Sequence, residues 1–371
     1  MRKKLEKAGK AAVALCCVLI CVWCAGTRLQ SWAKQEGADA LLLAAGMAVE
    51  EESPSPSGSP AGNPSENQAP EAGETTLNGD EEIPGFLDDD GIVPFHNNEL
   101  PSVSVTPDPA RASLPVEEIH LDGGAQIDNF FVKDTTDSGT DLAAELLQDP
   151  AVDIKANGEV EVLIYHTHTS EAYSESYTGF YYGDMDTRTQ NQEMSVVAAG
   201  EEIKKELEKA GIGVVHDTTV NDSLYNGSYS RSWEVLQNNL EKYPTIQVTI
   251  DVHRDSMTTQ EGVKYKPTAE VDGRRAAQVM FLAGCDANGD WGDFPDWKEN
   301  LHLALRVQQA ATELYPDLIR PLNFSNSKYN MNATKGSMLV EIGTEVNTVS
   351  EAKYSGKLVG KILAEVLINR V

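Results

Sequence analysis

Val160-Glu161-Val162-Leu163-Ile164-Tyr165-His166-Thr167-His168-Thr169-Ser170-Glu171 reads as a β-strand that runs directly into imidazoles and a carboxylate. Its first six residues have the β-branched and aromatic character of a strand. Outward from it, residues 194–209 carry apolar side chains at helical spacing (Val196, Val197, Ile203, Leu207), and Lys209-Ala210-Gly211 stops that helix before a strand at 212–215. A helix over 232–242 precedes a strand over 246–252. A strand at 276–282, a helix over 298–315 ended by Pro316, a strand at 338–342 and a helix over 351–367 complete the series. A short helix at 142–147 opens it. Strands alternating with helices predict an α/β fold with a sheet covered on both faces.

The N-terminal part has a different character. Residues 1–10 form a basic head (Arg2, Lys3, Lys4, Lys7, Lys10), and residues 11–32 form an apolar stretch read as a transmembrane anchor. Charge on the N-terminal side keeps that end in the cytoplasm and places the rest outside. A cleaved signal peptide is the rival reading, and the retained single-pass anchor is preferred. Residues 33–113 are acidic and rich in Pro, Ser and Gly, as in Ser53-Pro54-Ser55-Pro56-Ser57-Gly58. Such composition cannot bury enough apolar area to offset chain entropy, so it reads as a disordered linker. Residues 114–371 are then the folded, extracytoplasmic domain.

Net charge narrows the partners. With 30 Lys+Arg against 58 Asp+Glu, the chain carries -28. This argues against nucleic acid, which needs a basic footprint. Cys16, Cys17, Cys21 and Cys24 fall in the apolar stretch, and Cys285 stands alone beyond it. No structural disulfide is expected in the domain.

Ligands in open α/β sheets gather at the carboxyl ends of strands. Three such ends carry suggestive residues: His166 to Glu171; Asp251-Val252-His253-Arg254-Asp255-Ser256; and Glu341 within Leu339-Val340-Glu341-Ile342-Gly343. A catalytic zinc site uses three protein ligands, often two His and one Glu, and leaves a fourth position for water. A further carboxylate then serves as general base. Only seven His occur in the chain, and three fall at these ends. Glu341 is flanked by residues that favour burial, where a carboxylate is rare without a partner or a function.

These segments, together with Tyr329-Asn330 and Asn347-Thr348 through Glu351-Ala352, resemble the stage II sporulation protein P family, a divergent relative of the zinc N-acetylmuramoyl-L-alanine amidases. The resemblance runs from about Glu159 to the C-terminus. It implies a mixed, mostly parallel sheet flanked by helices, with Zn2+ as cofactor. It implies His168, rather than His166, and His253 as metal ligands, and Glu341 as the catalytic residue. The third ligand lies between Glu171 and Glu193, with Glu171 preferred because its segment is the more family-like. Arg254 and Asn330 are expected to bind substrate, and Asp255 to orient an imidazole. The implied reaction cleaves the amide joining muramic acid to L-alanine in peptidoglycan, with stem-peptide cross-links as a second target, during wall thinning at engulfment. The implied partners are the membrane, peptidoglycan and stage II sporulation proteins D and M. The alternative is a non-catalytic wall-binding or assembly protein with the same fold.

Overall fold

The structure is a computed structural model that describes residues 105–369. The basic head, the anchor and most of the linker read from the sequence lie outside the described residues. Among the described residues, no helix is long and apolar enough to cross a membrane.

Among the described residues, twelve strands and five α-helices follow in the order β1 (Ser113–Ile119), β2 (Ala125–Ile127), β3 (Phe130–Asp134), α1 (Leu142–Leu146), β4 (Val160–Tyr165), β5 (Phe180–Tyr182), α2 (Val196–Lys209), β6 (Gly213–His216), α3 (Ser228–Lys242), β7 (Val248–Asp255), β8 (Lys264–Val271), β9 (Arg274–Ala277), β10 (Val279–Gly284), α4 (Trp297–Leu314), β11 (Leu322–Ser325), β12 (Gly336–Thr344) and α5 (Val349–Asn369). Eight strands form one sheet in the order β2-β3-β11-β10-β12-β7-β4-β6. It is mixed and mostly parallel: only β2–β3 and β10–β12 pair antiparallel. The expected α/β architecture is therefore present.

Side chains alternate between faces along a strand, and β4 divides its residues accordingly. Val162 and Ile164 enter the large core with Ile203 and Leu207 of α2 and Leu358 and Ile362 of α5, whereas Leu163 and Tyr165 pack with Leu236 of α3 and Ile246 in a smaller cluster. Helices thus cover both faces, as the sequence predicted.

Two helix starts are written in the sequence. Ser195 Oγ accepts from the Val197 N–H at 3.3 Å and caps α2, so that helix begins at Val196, after a 3-10 turn at Gln192–Met194. At α5, Glu351 Oε2 accepts from the Thr348 N–H at 2.9 Å and Thr348 Oγ1 accepts from the Glu351 N–H at 3.2 Å, a reciprocal capping box.

Helices α2 and α5 approach closely because α5 presents Gly356 and Gly360, one turn apart. A Cβ on Gly356 would sit 2.4 Å from the Ala199 carbonyl oxygen, and one on Gly360 would meet Ile203 O at 2.8 Å. Backbone cannot yield as a flexible side chain can. Gly356→Val is expected to lower stability by about 3 kcal/mol, the upper end of the overpacking range. Urea unfolding checks this: the midpoint falls while its slope is unchanged.

Four further strands form a second sheet, ordered β5-β1-β8-β9, that the sequence reading did not anticipate. The expected single strand over 276–282 is in fact β9 and β10, which belong to different sheets. The chain crosses between them at Gln278, whose N–H donates to Pro267 O and whose side chain bonds both Leu121 N at 2.7 Å and Leu121 O at 3.1 Å. Fully buried Lys266 on β8 joins the small sheet to the α5 cap, donating to Glu118 at 2.8 Å and Glu351 at 2.6 Å.

Candidate functional site

Strands β4, β7 and β12 are neighbours and run parallel, so their carboxyl ends share one edge of the sheet. Register places Tyr165 beside Asp251, and His253 beside Glu341. The three segments singled out in the sequence therefore converge.

The turn after β4 is fixed by its own hydroxyls. Asp251 accepts from the Thr167 N–H at 2.8 Å and from Thr167 Oγ1 at 2.6 Å. Thr169 Oγ1 donates to Thr219 O at 2.7 Å, and Ser170 Oγ donates to Asp222 at 2.6 Å. This frame sets His168, which lies 5.4 Å from the His253 ring, centroid to centroid, with the planes at 87°. On its other sides His168 stacks on Tyr225 at 4.9 Å and meets the edge of Tyr229 at 5.9 Å. His168 Nδ1 is buried and has no hydrogen-bond partner.

His253 is held between two carboxylates. Glu171 Oε2 lies 3.5 Å from its Nδ1, and Asp251 Oδ1 lies 3.0 Å from its Nε2, though off the line of an N–H hydrogen bond. Burial works against the imidazolium, but the charges of Asp251 and Glu171 outweigh it and raise the His253 pKa well above the ordinary value. Reciprocally, burial would raise Glu171, yet His253 and Arg254 hold it down at about 2. His168 responds to burial first and falls to about 4. Glu341 goes the other way. Desolvation, then the Asp255 charge, push it up to about 8. The residue as a whole keeps some solvent contact, but its Oε2 is closed off and unpartnered.

Other residues expected at the site are placed differently. His166 is fully buried, with Nδ1 2.9 Å from Val252 O and Nε2 2.9 Å from His216 Nε2, so its ring nitrogens are engaged away from the edge. Glu193 is exposed on the 3-10 turn, whereas Glu171 stands at His253. The Arg254 guanidinium is buried on the carbonyls of Ala172, Thr187 and Asp255, and it braces the turn carrying Glu171. Asn330, at a φ of 59°, donates to Tyr229 O and Ser232 Oγ, each at 3.0 Å, and anchors the start of α3. Asp255 pairs with Arg320 at 2.9 Å. The carboxylate that joins Glu171 at the His253 imidazole is Asp251, for which the sequence suggested no role. Strand alternation could have found it, since residues 251 and 253 share a face. Tyr225, Tyr229 and Arg188 had no local signal.

Among the described residues, no group of three or more His, Cys, Asp or Glu side chains stands in ready-made metal-ligand geometry; the His253 ring is closed in by two carboxylates. The donor chemistry nevertheless fits zinc. Two imidazoles and a carboxylate meet at one edge, and buried His168 Nδ1 and Glu341 Oε2 have no protein partner there.

A family model described as stage II sporulation protein P (SpoIIP) matches residues 98–366. The chain belongs to that family. A member from Bacillus subtilis (strain 168), stage II sporulation protein P, is 27% identical over 217 residues, covering 55% of this chain and 50% of that protein. The match thus spans about half the relative's length. Among solved structures, the CwlD amidase from Clostridioides difficile in complex with the GerS lipoprotein is 13% identical with a TM-score of 0.35, covering 56% of this chain and 96% of that one. The N-acetylmuramoyl-L-alanine amidase AmiC2 of Nostoc punctiforme is 12% identical with a TM-score of 0.33, covering 58% and 98%. Likeness at that level carries no inference about activity.

Proposed function

We propose that this family member is a zinc-dependent peptidoglycan hydrolase. It cleaves the N-acetylmuramoyl-L-alanine amide, with stem-peptide cross-links as a second target, in wall remodelling during sporulation. The supporting observation is the convergence of His168, Glu171, His253 and Glu341 at one strand edge, with unpartnered polar atoms on His168 and Glu341. His168, Glu171 and His253 would hold the zinc. Bound there, it would supply Lewis acidity towards a water molecule and the scissile carbonyl.

The chain's own residues supply the rest. His253 must lose its proton to serve as a ligand, so metal uptake releases a proton and strengthens as pH rises. Glu341, beside His253, is held as the acid in the metal-free protein; ionised by the charge of a bound metal, it would take the proton from the attacking water and pass it to the departing nitrogen of L-alanine. Water is consumed, the C–N bond breaks, and a lactyl carboxylate and a free amine result. Asp251 holds the His168 turn through Thr167 and faces the His253 ring, positioning both imidazoles. An N-terminal membrane anchor and tether, with the domain outside the cytoplasmic membrane, and partnership with stage II sporulation proteins D and M belong to the same proposal.

The test is incubation of the full chain with purified peptidoglycan, with and without a chelator, and mass spectrometry of the soluble products. Stem peptides with new L-alanine amino termini, released only without chelator, support the reading. Release of cross-link fragments alone would keep the zinc centre and change the bond. Wall binding with no product from folded, zinc-loaded protein would overturn it in favour of a non-catalytic wall-binding protein.

A further inference from the structure

The proposed mechanism leaves unused a cation at the edge of the site. Arg188 lies between β5 and α2, and its backbone forms an antiparallel bridge with Glu171. Its guanidinium carbon sits 5.0 Å from the centroid of the Tyr225 ring. His168 stacks on that same ring with the planes 3° apart. Arg188 and His168 thus share one aromatic surface.

The fork is held in one orientation. Arg188 Nη1 donates to Asp222 and, at 3.3 Å, to Ser170 Oγ. The Asp222 carboxylate is fully buried and also takes the Ser170 hydroxyl. With Nη1 fixed, Nε and Nη2 remain as a pre-oriented pair of donors on a side chain that is 35% exposed. Neighbouring cations are differently committed: Arg254 to backbone carbonyls, Arg320 to Asp255 and Lys264 to Glu345. The chain carries -28 overall, so an anionic peptide meets net repulsion unless a local cation receives it.

We propose that Arg188 is a specificity residue that receives a free carboxylate of the stem peptide next to the scissile amide, so that the enzyme distinguishes free-acid stems from amidated ones. This rests on the proposed function and deepens it. The guanidinium fork matches a carboxylate in two parallel hydrogen bonds, and a carboxamide presents one acceptor and a mismatched donor.

The experiment compares two soluble muramoyl peptides that differ only in whether the residue after L-alanine carries a carboxylate or a carboxamide. Turnover is measured on the full chain. Binding is measured by calorimetry on Glu341→Gln protein, which holds substrate without consuming it. The parent is expected to favour the free acid by about ten- to a hundredfold, through KM rather than kcat. Arg188→Gln brings the ratio of kcat/KM for the free-acid and amidated peptides to about one, whatever its effect on the two together. Arg188→Lys, which keeps the charge and loses the fork, retains part of the preference. A merely structural role would slow both peptides equally, and that result, or a parent without preference, overturns the proposal while leaving the hydrolase assignment intact. If the parent cleaves neither peptide, the assignment of the muramoyl amide as the bond cut falls. The carboxylate reading is then decided by calorimetry, standing on a preference that Arg188→Gln removes and falling without one.

Discussion

Replacing Glu341 by Gln is expected to slow release of stem peptides from peptidoglycan by about a thousandfold, within the range that a positioned general base supplies. The substitution preserves size and hydrogen bonding but cannot accept the proton of water. Since Glu341 is not one of the three residues assigned to the metal, zinc content measured by atomic emission should stay at the parental level. Loss of activity together with loss of zinc would instead make Glu341 a ligand. A second readout uses the metal-free protein. Desolvation and Asp255 hold the Glu341 acid at about 8 against an ordinary 4.5, so the folded state keeps a proton that the unfolded chain releases. The sign follows: this contribution to stability is fully present below about 4.5 and is lost as pH rises through about 8. In chelator at pH 9, Glu341→Gln should therefore melt above the parent, by an amount on the order of a few kcal/mol in stability, and at pH 4 the two should agree. Equal melting temperatures at both values would contradict the buried acid.

His168→Ala is expected to abolish stoichiometric zinc and hydrolysis together. Even the loss of a group that only orients a ligand costs about ten- to a hundredfold in metal affinity, so removal of a ligand should exceed that range. His166→Ala supplies the contrast two residues away. Its ring is engaged with Val252 O and His216, so the variant should lose stability by leaving those buried groups unpaired, yet keep its zinc once folded. Metal analysis after exhaustive dialysis separates the two. Zinc retained in His168→Ala and lost in His166→Ala would exchange their roles.

The parts of the fold that were legible in the sequence are those buried on both faces. β4, β7 and β12 are apolar runs ending abruptly in polar residues, and the helices between them carry a 3.6-residue stripe. The small sheet had no such signal. β1 and β8 mix buried and exposed positions with several charges, and β8 contains Pro267. Nor could periodicity show that residues 276–282 serve two sheets, because apolar residues are buried on either side of the crossing at Gln278. The same logic holds at the site. His168, Glu171, His253 and Glu341 lie on or just after strong strands, and the structure gathers them. Tyr225 and Arg188 come from loops that fold back from elsewhere in the chain, and no pattern local to those residues marks their destination. Arg254 shows the converse error: a charge beside a candidate ligand suggested substrate, and the side chain proved to be buried on carbonyls.

The anchoring of the turn after β4 has a bearing on control. Thr167, Thr169 and Ser170 are each tied down by side-chain hydrogen bonds to separate parts of the molecule, and Asp251 links that turn to the strand bearing His253. Such a turn is preassembled: no folding of this segment is needed to bring His168 and Glu171 to the strand that carries His253. On the proposed hydrolase reading, control would then act outside this turn, on the access of substrate to it.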